Sequence, residues 1–258
     1  MRLRAVEGIP EVVEGDDIGR LLDELDQPAA DDIVVIASTI VSKAEGRGRR
    51  LDEYEPSSRA MELAQALDDR HGGSRDPRFA QAVLDESEEL LIEDPFILSV
   101  TQFGHIGVNA GIDRSNLPGD ADILLLPSDP MESAAAIRDS LQNSPPVIIS
   151  DTSGRPFRLG QRGVAIGWAG LPATKDWRGK TDRRGHELAV TVEAIVDELA
   201  SAANLLTGEA DDGKPVVYVE NWYNKGDING ADGLFRAEEH DYVRQALRQW
   251  DLGDPSRD

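Results

Sequence analysis

The chain has 258 residues and a formal net charge of −22, with 49 acidic and 27 basic side chains. That balance argues against nucleic acid or an anionic membrane as the partner, because both are themselves negatively charged. The absence of cysteine excludes disulfides, thiolate metal ligands and cysteine nucleophiles. The length suffices for a core in one large domain or two small ones.

The acidic excess is typical of haloadaptation. At molar salt the Debye length falls to about 3 Å, so carboxylates stop repelling one another while they keep the surface hydrated. An ordinary acidic protein of moderate salt is the alternative. No signal-peptide pattern and no apolar run of about 20 residues is present, which predicts a soluble, cytoplasmic protein without a membrane partner.

The first predicted elements are a short strand, a helix capped by Asp16 or Asp17, and a buried strand. The helix has an apolar face made of Ile18, Leu21, Leu22 and Leu25. The buried strand begins at Asp32 and ends in the hydroxyls of Ser38 and Thr39. Residues 46–50 then form a basic loop, either mobile and solvated or a phosphate clamp.

Two helices are predicted next, one opening at 56–58 and one running from Asp76 to Leu91. Strands at 96–100 and 107–109 lead into the polar loop 110–116. A buried strand at 121–127, a helix at 130–142 and a second buried strand from Pro145 follow. This strand delivers Asp151 and Thr152 to its end.

The C-terminal part is predicted to hold a strand at 164–168, a long helix from His186 to Leu206, and an acidic loop at 207–215. A strand at 216–220, a helix from Ala237 to Trp250 and a frayed tail at 251–258 complete the chain. Strands and helices alternate unevenly, which favours an α+β fold with mixed sheets and packed helices. We expect 1–258 to form a single domain, with two interleaved subdomains as a variant.

Three loop segments offer oxygen ligands: Asp113 with Asn116, Asp151 with Thr152, and Glu209. Mg²⁺ and Mn²⁺ prefer such ligands, so the three segments together could bind two divalent ions. Taken singly, each acid could equally be a turn residue in so acidic a chain. Asp151 stands apart because it terminates a buried strand.

The sequence contains no P-loop, no dinucleotide-binding glycine motif and no HExxH zinc motif. Ser38, Thr39 and Lys43 could still hold phosphates, or could be a capped strand end with one surface lysine. Between Gly154 and Gly185 eight basic and two acidic residues give a local charge of +6, which suits an anionic small molecule. Trp168 and Trp177 could stack on an aromatic ligand or belong to the core.

Six ordered segments resemble the coenzyme F420-0:L-glutamate ligase family. They are Glu7–Pro10, Ser38–Arg47, Gln81–Ser87, Val108–Asn116, Asp151–Arg158 and Lys175–Lys180. The resemblance implies a GTP-dependent ligase that joins L-glutamate to the lactyl carboxylate of F420-0 through an acyl phosphate, and then adds γ-linked glutamates. It also implies an intertwined α+β homodimer with two divalent cations, Mg²⁺ or Mn²⁺, and one K⁺.

Position by position, the resemblance assigns Asp113 and Asp151 to catalysis and to the first metal, and Thr152 and Glu209 to the second. The GTP contacts it implies are Ile9, Pro10, Glu11, Val12, Ser38, Thr39, Lys43, Asn116, Thr207, Gly208, Glu209, Ala210, Asp211, Asp212, Gly213 and Lys214. Asp211 and Asp212 depart from the small residues expected there. The F420-0 phosphodiester is assigned to the basic residues Arg155, Arg158, Lys175 and Arg178.

Two other functions remain open at this stage. A metal-dependent phosphatase could use Asp151 as phosphoryl acceptor and would release phosphate without glutamate. A non-catalytic protein would bind GTP without turnover.

Overall fold

The computed structural model describes residues 1–71, 74–222 and 233–249. The strands in these ranges are β1 (Arg2–Ala5), β2 (Ile33–Ala37), β3 (Gly48–Arg49), β4 (Ser87–Ile92), β5 (Leu98–Thr101), β6 (Ile106–Val108), β7 (Ile123–Leu124), β8 (Val147–Ser153), β9 (Arg162–Ala169), β10 (Lys175–Asp176), β11 (Val192–Glu193) and β12 (Val216–Glu220). The α-helices are α1 (Ile18–Asp26), α2 (Ser38–Ala44), α3 (Ser58–His71), α4 (Pro77–Asp85), α5 (Pro130–Ser140), α6 (Ile195–Thr207) and α7 (Tyr242–Leu247). Short 3₁₀ helices cover Leu51–Glu53, Asn109–Gly111 and Glu238–His240.

The chain divides into two compact units. The first comprises Met1–Arg47 and Pro127–Leu234, and the second comprises Gly48–Leu126 and Phe235–Asp258. Helices and several sheets, one of them mixed, confirm the α+β prediction. The intertwined homodimer stays a prediction. The predicted tail at 251–258 and the end of the predicted last helix, Trp250, lie outside the described residues.

A five-stranded sheet in the order β1-β12-β2-β8-β9 organises the first unit. β2 and β8 run parallel, while the other neighbours are antiparallel. The central strands are apolar on both faces because the sheet is covered. On one side α6 packs on a core formed by Ile33, Val35, Ile148, Ala165, Trp168, Ala173, Ile195, Val196, Leu199, Ala200, Ala203, Val217 and Val219.

Helix caps in the first unit follow their local sequence. Asp17 accepts a hydrogen bond from Arg20 N at the start of α1, as predicted. Asp129 caps α5, where Pro130 occupies the first turn without losing a needed N–H donor. α5 contacts β8 and β9, and α1 contacts α5. Local cap chemistry therefore fixes where these two helices begin.

The second unit combines the antiparallel meander β4-β5-β6, the ribbon β3-β7 and helices α3, α4 and α7. Asp76 caps α4, and Pro77 stands in its first turn. The hydrophobic core of the second unit consists of Leu51, Ala60, Leu63, Ala64, Leu67, Ala80, Ala82, Val83, Ile97, Ala110, Ile112, Ile123 and Leu125. None of the helices in the described ranges combines the length and apolar character needed to cross a bilayer.

The prediction of one helix from Asp76 to Leu91 was wrong. α4 ends at Asp85, and β4 pairs antiparallel with β5. The apolar spacing in 76–91 fits a helix, but the neighbouring strand supplies hydrogen-bond partners that a local pattern does not contain.

The long helix predicted from His186 begins only at Ile195. Before it, Val192 and Glu193 pair with Asp176 and Lys175. The β-branched residues Thr191 and Val192 favour this extended backbone.

Other boundaries also changed. Gly48 and Arg49, predicted as loop, pair with Leu124 and Ile123. Residues 38–44 form the unpredicted α2, and β7 covers only two residues of the predicted strand at 121–127. The predicted C-terminal helix is divided into a 3₁₀ turn and the short α7.

Candidate functional site

Ser38 and Asp151 meet where the parallel strands β2 and β8 end their pairing. Ala37 lies opposite Ser150, the last pair of this ladder, and Ser38, the first residue of α2, and Asp151 of β8 come directly after that pair. Ser38 Oγ donates to Asp151 Oδ1 at 2.9 Å. Ser38 is buried and Asp151 is half-buried, so a carboxylate oriented by a hydroxyl sits at the carboxyl edge of the sheet.

Asp151 and Thr152 lie near the end of β8, as predicted. They pair with Val164 and Gly163 on β9 after the pairing with β2 has stopped. Their backbone is therefore held by an antiparallel ladder. This gives both side chains a more rigid support than a turn would provide.

Glu209 lies beside Thr152. Thr152 Oγ1 is 3.3 Å from both carboxylate oxygens of Glu209, and Asn204 Nδ2 donates to Glu209 Oε1 at 2.8 Å. Gly208 has φ +73, and a Cβ there would lie 2.0 Å from Asp212 Oδ2. The Asp212 side chain could rotate away, but the backbone at Gly208, with φ +73 and ψ −176, is one that residues with a Cβ rarely adopt, so this turn favours glycine.

Asn204 was missed from the sequence. It lies on α6 one turn before the loop that carries Glu209. The signal available was an amide residue five positions before a candidate ligand, at a helix end. That spacing is common in helices, and it brings Asn204 to Glu209 only because the chain turns at Gly208.

Lys43 is a buried cation with an exposed partner. Its ammonium forms an ion pair with Glu11, and the exposed fractions of the two side chains are 8% and 71%. Burial of a lysine is costly unless a counter-charge is present. Lys43 on α2 is thus a buried, ion-paired residue, and not the ordinary surface lysine that the sequence had left open.

The other residues assigned to GTP in the first unit lie in two segments. Ile9, Pro10 and Val12 belong to the connection between β1 and α1, where Val12 is buried and Pro10 exposed. Thr39 follows Ser38 in α2. The second segment contains Thr207 at the end of α6 and the loop residues Gly208, Ala210, Asp211, Asp212, Gly213 and Lys214, several of them exposed.

Asp113 and Asn116 belong to the second unit. Asp113 forms an antiparallel bridge with Leu124. Its Oδ1 accepts hydrogen bonds from the backbone N of Arg114 at 2.6 Å and from Ser115 N and Oγ at 2.8 Å. Asn116 is exposed with φ +50. Their metal and GTP roles stay predictions.

The donor chemistry of the first unit suits a hard cation. Asp151, Thr152 and Glu209 present only carboxylate and hydroxyl oxygens, the ligands of Mg²⁺ and Mn²⁺. Within the described ranges no three His, Asp or Glu side chains are grouped as a self-sufficient metal site. K⁺ and the number of ions stay predictions.

The basic tract is partly neutralised within the chain. The Arg178 side chain donates three hydrogen bonds to the Asp176 carboxylate, of 2.9, 3.0 and 2.6 Å, which lower the pKa of that carboxyl to about 2. Lys175 Nζ lies 4.2 Å from the ring centroid of Trp177. Arg155 and Arg158 lie in the β8–β9 connection, half-buried and exposed respectively.

The two tryptophans that could stack on a ligand, Trp168 and Trp177, both make contacts within the protein. Trp168 is buried in the α6 core, which is the core interpretation of this residue. Trp177, the residue after β10, donates from Nε1 to Glu193 Oε2 on β11 at 2.7 Å.

Comparison with known proteins agrees with the resemblance seen in the motifs. A family model described as F420-0:Gamma-glutamyl ligase matches residues 8–221. A coenzyme F420:L-glutamate ligase from Natronomonas pharaonis is 60% identical over 250 residues, which cover 97% of each chain. Proteins of the same name from Haloarcula marismortui and Archaeoglobus fulgidus are 60% and 44% identical, with 97% and 95% of this chain and 98% and 96% of theirs covered.

Proposed function

The chain belongs to the F420-0:γ-glutamyl ligase family, and from this we propose that it joins L-glutamate to coenzyme F420-0 at the expense of GTP. The observation that carries the proposal is the pairing of Ser38 with Asp151 beside Thr152 and Glu209 at one sheet edge. Further γ-linked glutamates would follow by the same chemistry. The homodimer and the cytoplasmic location are part of the proposal.

The reaction must first activate a carboxylate. An oxygen of the lactyl carboxylate attacks the γ-phosphorus of GTP, so that GDP leaves and an acyl phosphate forms. The α-amine of glutamate then attacks the acyl carbon, loses a proton and expels phosphate. Most of the protein's contribution to such transfers is alignment and compensation of charge.

The residues of the first unit divide this work. Lys43 offers a buried positive charge to a phosphate, and Ser38 orients the Asp151 carboxylate through its hydroxyl. Asn204 orients Glu209 in the same way. Divalent ions held by Asp151, Thr152 and Glu209 would supply neutralisation of charge on the phosphates.

The basic tract is proposed to receive F420-0, whose phosphodiester and carboxylate are anions. Arg155 and Arg158 suit this role better than Arg178, which already has a bidentate carboxylate partner in Asp176. Lys175 stands over Trp177 and can contribute charge beside an aromatic surface.

The test is a mass-spectrometric assay of F420-0 incubated with GTP, L-glutamate and Mn²⁺ in high KCl. We expect products heavier by glutamyl units with wild-type protein. Asp151→Asn keeps the size of the side chain but removes its charge, and we expect turnover to fall by at least about 10²-fold. Its unfolding midpoint should stay close to that of wild type, and full activity of the variant would contradict the role of Asp151.

The same assay separates the two rival functions. A phosphatase would release phosphate from GTP without glutamate and would leave the mass of F420-0 unchanged. A GTP-binding protein would give neither phosphate nor glutamylated product. Either result with folded wild-type protein would overturn the proposed ligase.

A further inference from the structure

Glu11 lies between a buried cation and solvent. The Lys43 side chain is 8% exposed, whereas its ion-pair partner Glu11 is 71% exposed. Any anion that reaches the ammonium therefore finds the Glu11 carboxylate already bound to it. Two anions at one ammonium repel each other, so the arriving anion and the Glu11 carboxylate compete for Lys43.

The backbone that carries Glu11 is well anchored. Val12 is 2% exposed, and Val13 N donates to Asp16 Oδ2 at 2.8 Å. Gly15 N donates to the carbonyl of Ala44, the residue after Lys43, at 2.9 Å. Displacement of Glu11 then needs only a rotation of its side chain, while the segment stays on α2.

We infer that Glu11 is an internal competitor for nucleotide phosphate: its carboxylate occupies Lys43 in the ligand-free protein and is displaced when a phosphate binds. The inference rests on the proposed use of Lys43 for GTP. It separates Glu11 from the neighbouring GTP-segment residues, because its side chain opposes phosphate binding. Glu11 thereby sets the nucleotide affinity and neutralises Lys43 when the site holds no phosphate.

The competition has a measurable size. Glu11→Gln removes the negative charge and keeps the shape, so an arriving phosphate no longer displaces a carboxylate. Because the glutamate side of the ion pair is largely exposed, the pair is weak and the effect should be modest. We expect Glu11→Gln to bind inorganic tripolyphosphate and GTP about fivefold more tightly than wild type. The advantage should shrink in molar KCl, where the Debye length is about 3 Å.

The experiment is calorimetric titration of the full chain with tripolyphosphate and with GTP, at two KCl concentrations that both keep it folded. Glu7→Gln is the matched control, since it removes the same charge from the same segment at an exposed position. Lys43→Met tests the site itself. Glu11→Asp, which withdraws the carboxylate by one methylene, should fall between wild type and Glu11→Gln.

The outcomes are distinguishable. If Lys43→Met weakens both ligands but Glu11→Gln binds them like wild type, the competitor role is overturned and the phosphate site stands. If Glu11→Gln weakens GTP and not tripolyphosphate, Glu11 contacts the nucleoside and the inference is wrong. If Lys43→Met leaves both affinities unchanged, the proposed phosphate site fails, and the inference fails with it.

Discussion

Asn204 shows how a neutral side chain can decide the direction of a charged one. Its amide donates to Glu209 Oε1 at 2.8 Å, while Thr152 approaches both oxygens of the same carboxylate. Partners of this kind restrict the orientation of a ligand, and their loss typically costs about 10- to 100-fold in metal affinity. The structure thus shows Asn204 orienting the Glu209 carboxylate, and under the proposed metal role of Glu209 it would be a positioning residue.

We predict that Asn204→Ala weakens Mn²⁺ binding by about tenfold in the presence of GDP. Electron paramagnetic resonance titration of free Mn²⁺ measures this directly and does not depend on turnover. The control is Asn143→Ala, which removes an amide that donates to Pro28 O at 2.9 Å. Equal Mn²⁺ affinity in wild type and Asn204→Ala would contradict the positioning role.

His105 is a buried imidazole in the second unit. It stacks on Phe103 with ring centroids 6.4 Å apart and packs against Phe235. Burial lowers its pKa from 6.5 to about 4, because the charged form loses its water. Between these two values the unfolded chain binds a proton that the folded chain does not bind.

We predict that His105 contributes an acid-sensitive share of stability. The pKa of His105 is lower in the folded than in the unfolded chain. Its contribution to the free energy of unfolding is therefore fully present above about pH 6.5, and about 3 kcal/mol is lost as the pH falls towards 4. Urea unfolding of wild type and of His105→Gln across this range isolates the histidine from the titrating carboxylates. Parallel pH profiles of the two proteins would refute the prediction.

At the scale of elements, two glycines of β9, Gly163 and Gly167, allow α6 and α5 to pack closely against the strand. A Cβ on Gly163 would lie 2.6 Å from the carbonyl oxygen of Ala200 on α6. A Cβ on Gly167 would lie 2.1 Å from that of Pro130 on α5. The obstructing atoms are backbone, so they cannot rotate away as a side chain would.

We predict that Gly167→Ala destabilises the first unit by about 1–3 kcal/mol, because α5 must shift away from β9. The measurement is the free energy of unfolding in urea. Gly154→Ala is the control, since a Cβ there meets nothing within 4 Å. A loss of stability equal in both variants would show that close helix approach is not the cause.

At the scale of the whole molecule, the charge of −22 is the dominant property. Relatives from halophilic archaea are 57–60% identical, which agrees with the haloadapted interpretation of the composition. In dilute buffer the carboxylates repel one another over a Debye length of about 10 Å at 0.1 M salt. This repulsion destabilises the compact state.

We predict that the melting temperature rises steeply as KCl is increased from about 0.1 M to molar concentrations, where the Debye length falls to about 3 Å. Differential scanning fluorimetry over a KCl series measures the effect. Sucrose of equal osmolality serves as an uncharged comparison. A melting temperature that does not depend on KCl would contradict haloadaptation.

The sequence by itself determined the features that depend on neighbouring residues. Asp17 and Asp129 start their helices, because a cap needs only the next two or three N–H groups. The apolar runs of β2 and β8 predicted buried strands, and the ordered motifs predicted the family. The net charge of −22 predicted adaptation to high salt.

Only the tertiary structure decided which distant groups meet. Ser38 and Asp151 are 113 positions apart along the chain. The parallel register of β2 and β8 brings Ser38 Oγ to 2.9 Å from Asp151 Oδ1. Residues 87–92 became a strand because β5 offers a partner. The pairing of Lys43 with Glu11 likewise depends on how a connection folds over α2. The physical reason is common to all three: spacing along the chain encodes caps and apolar faces, whereas a hydrogen-bond or charge partner is chosen by the packing of elements that the local pattern does not contain.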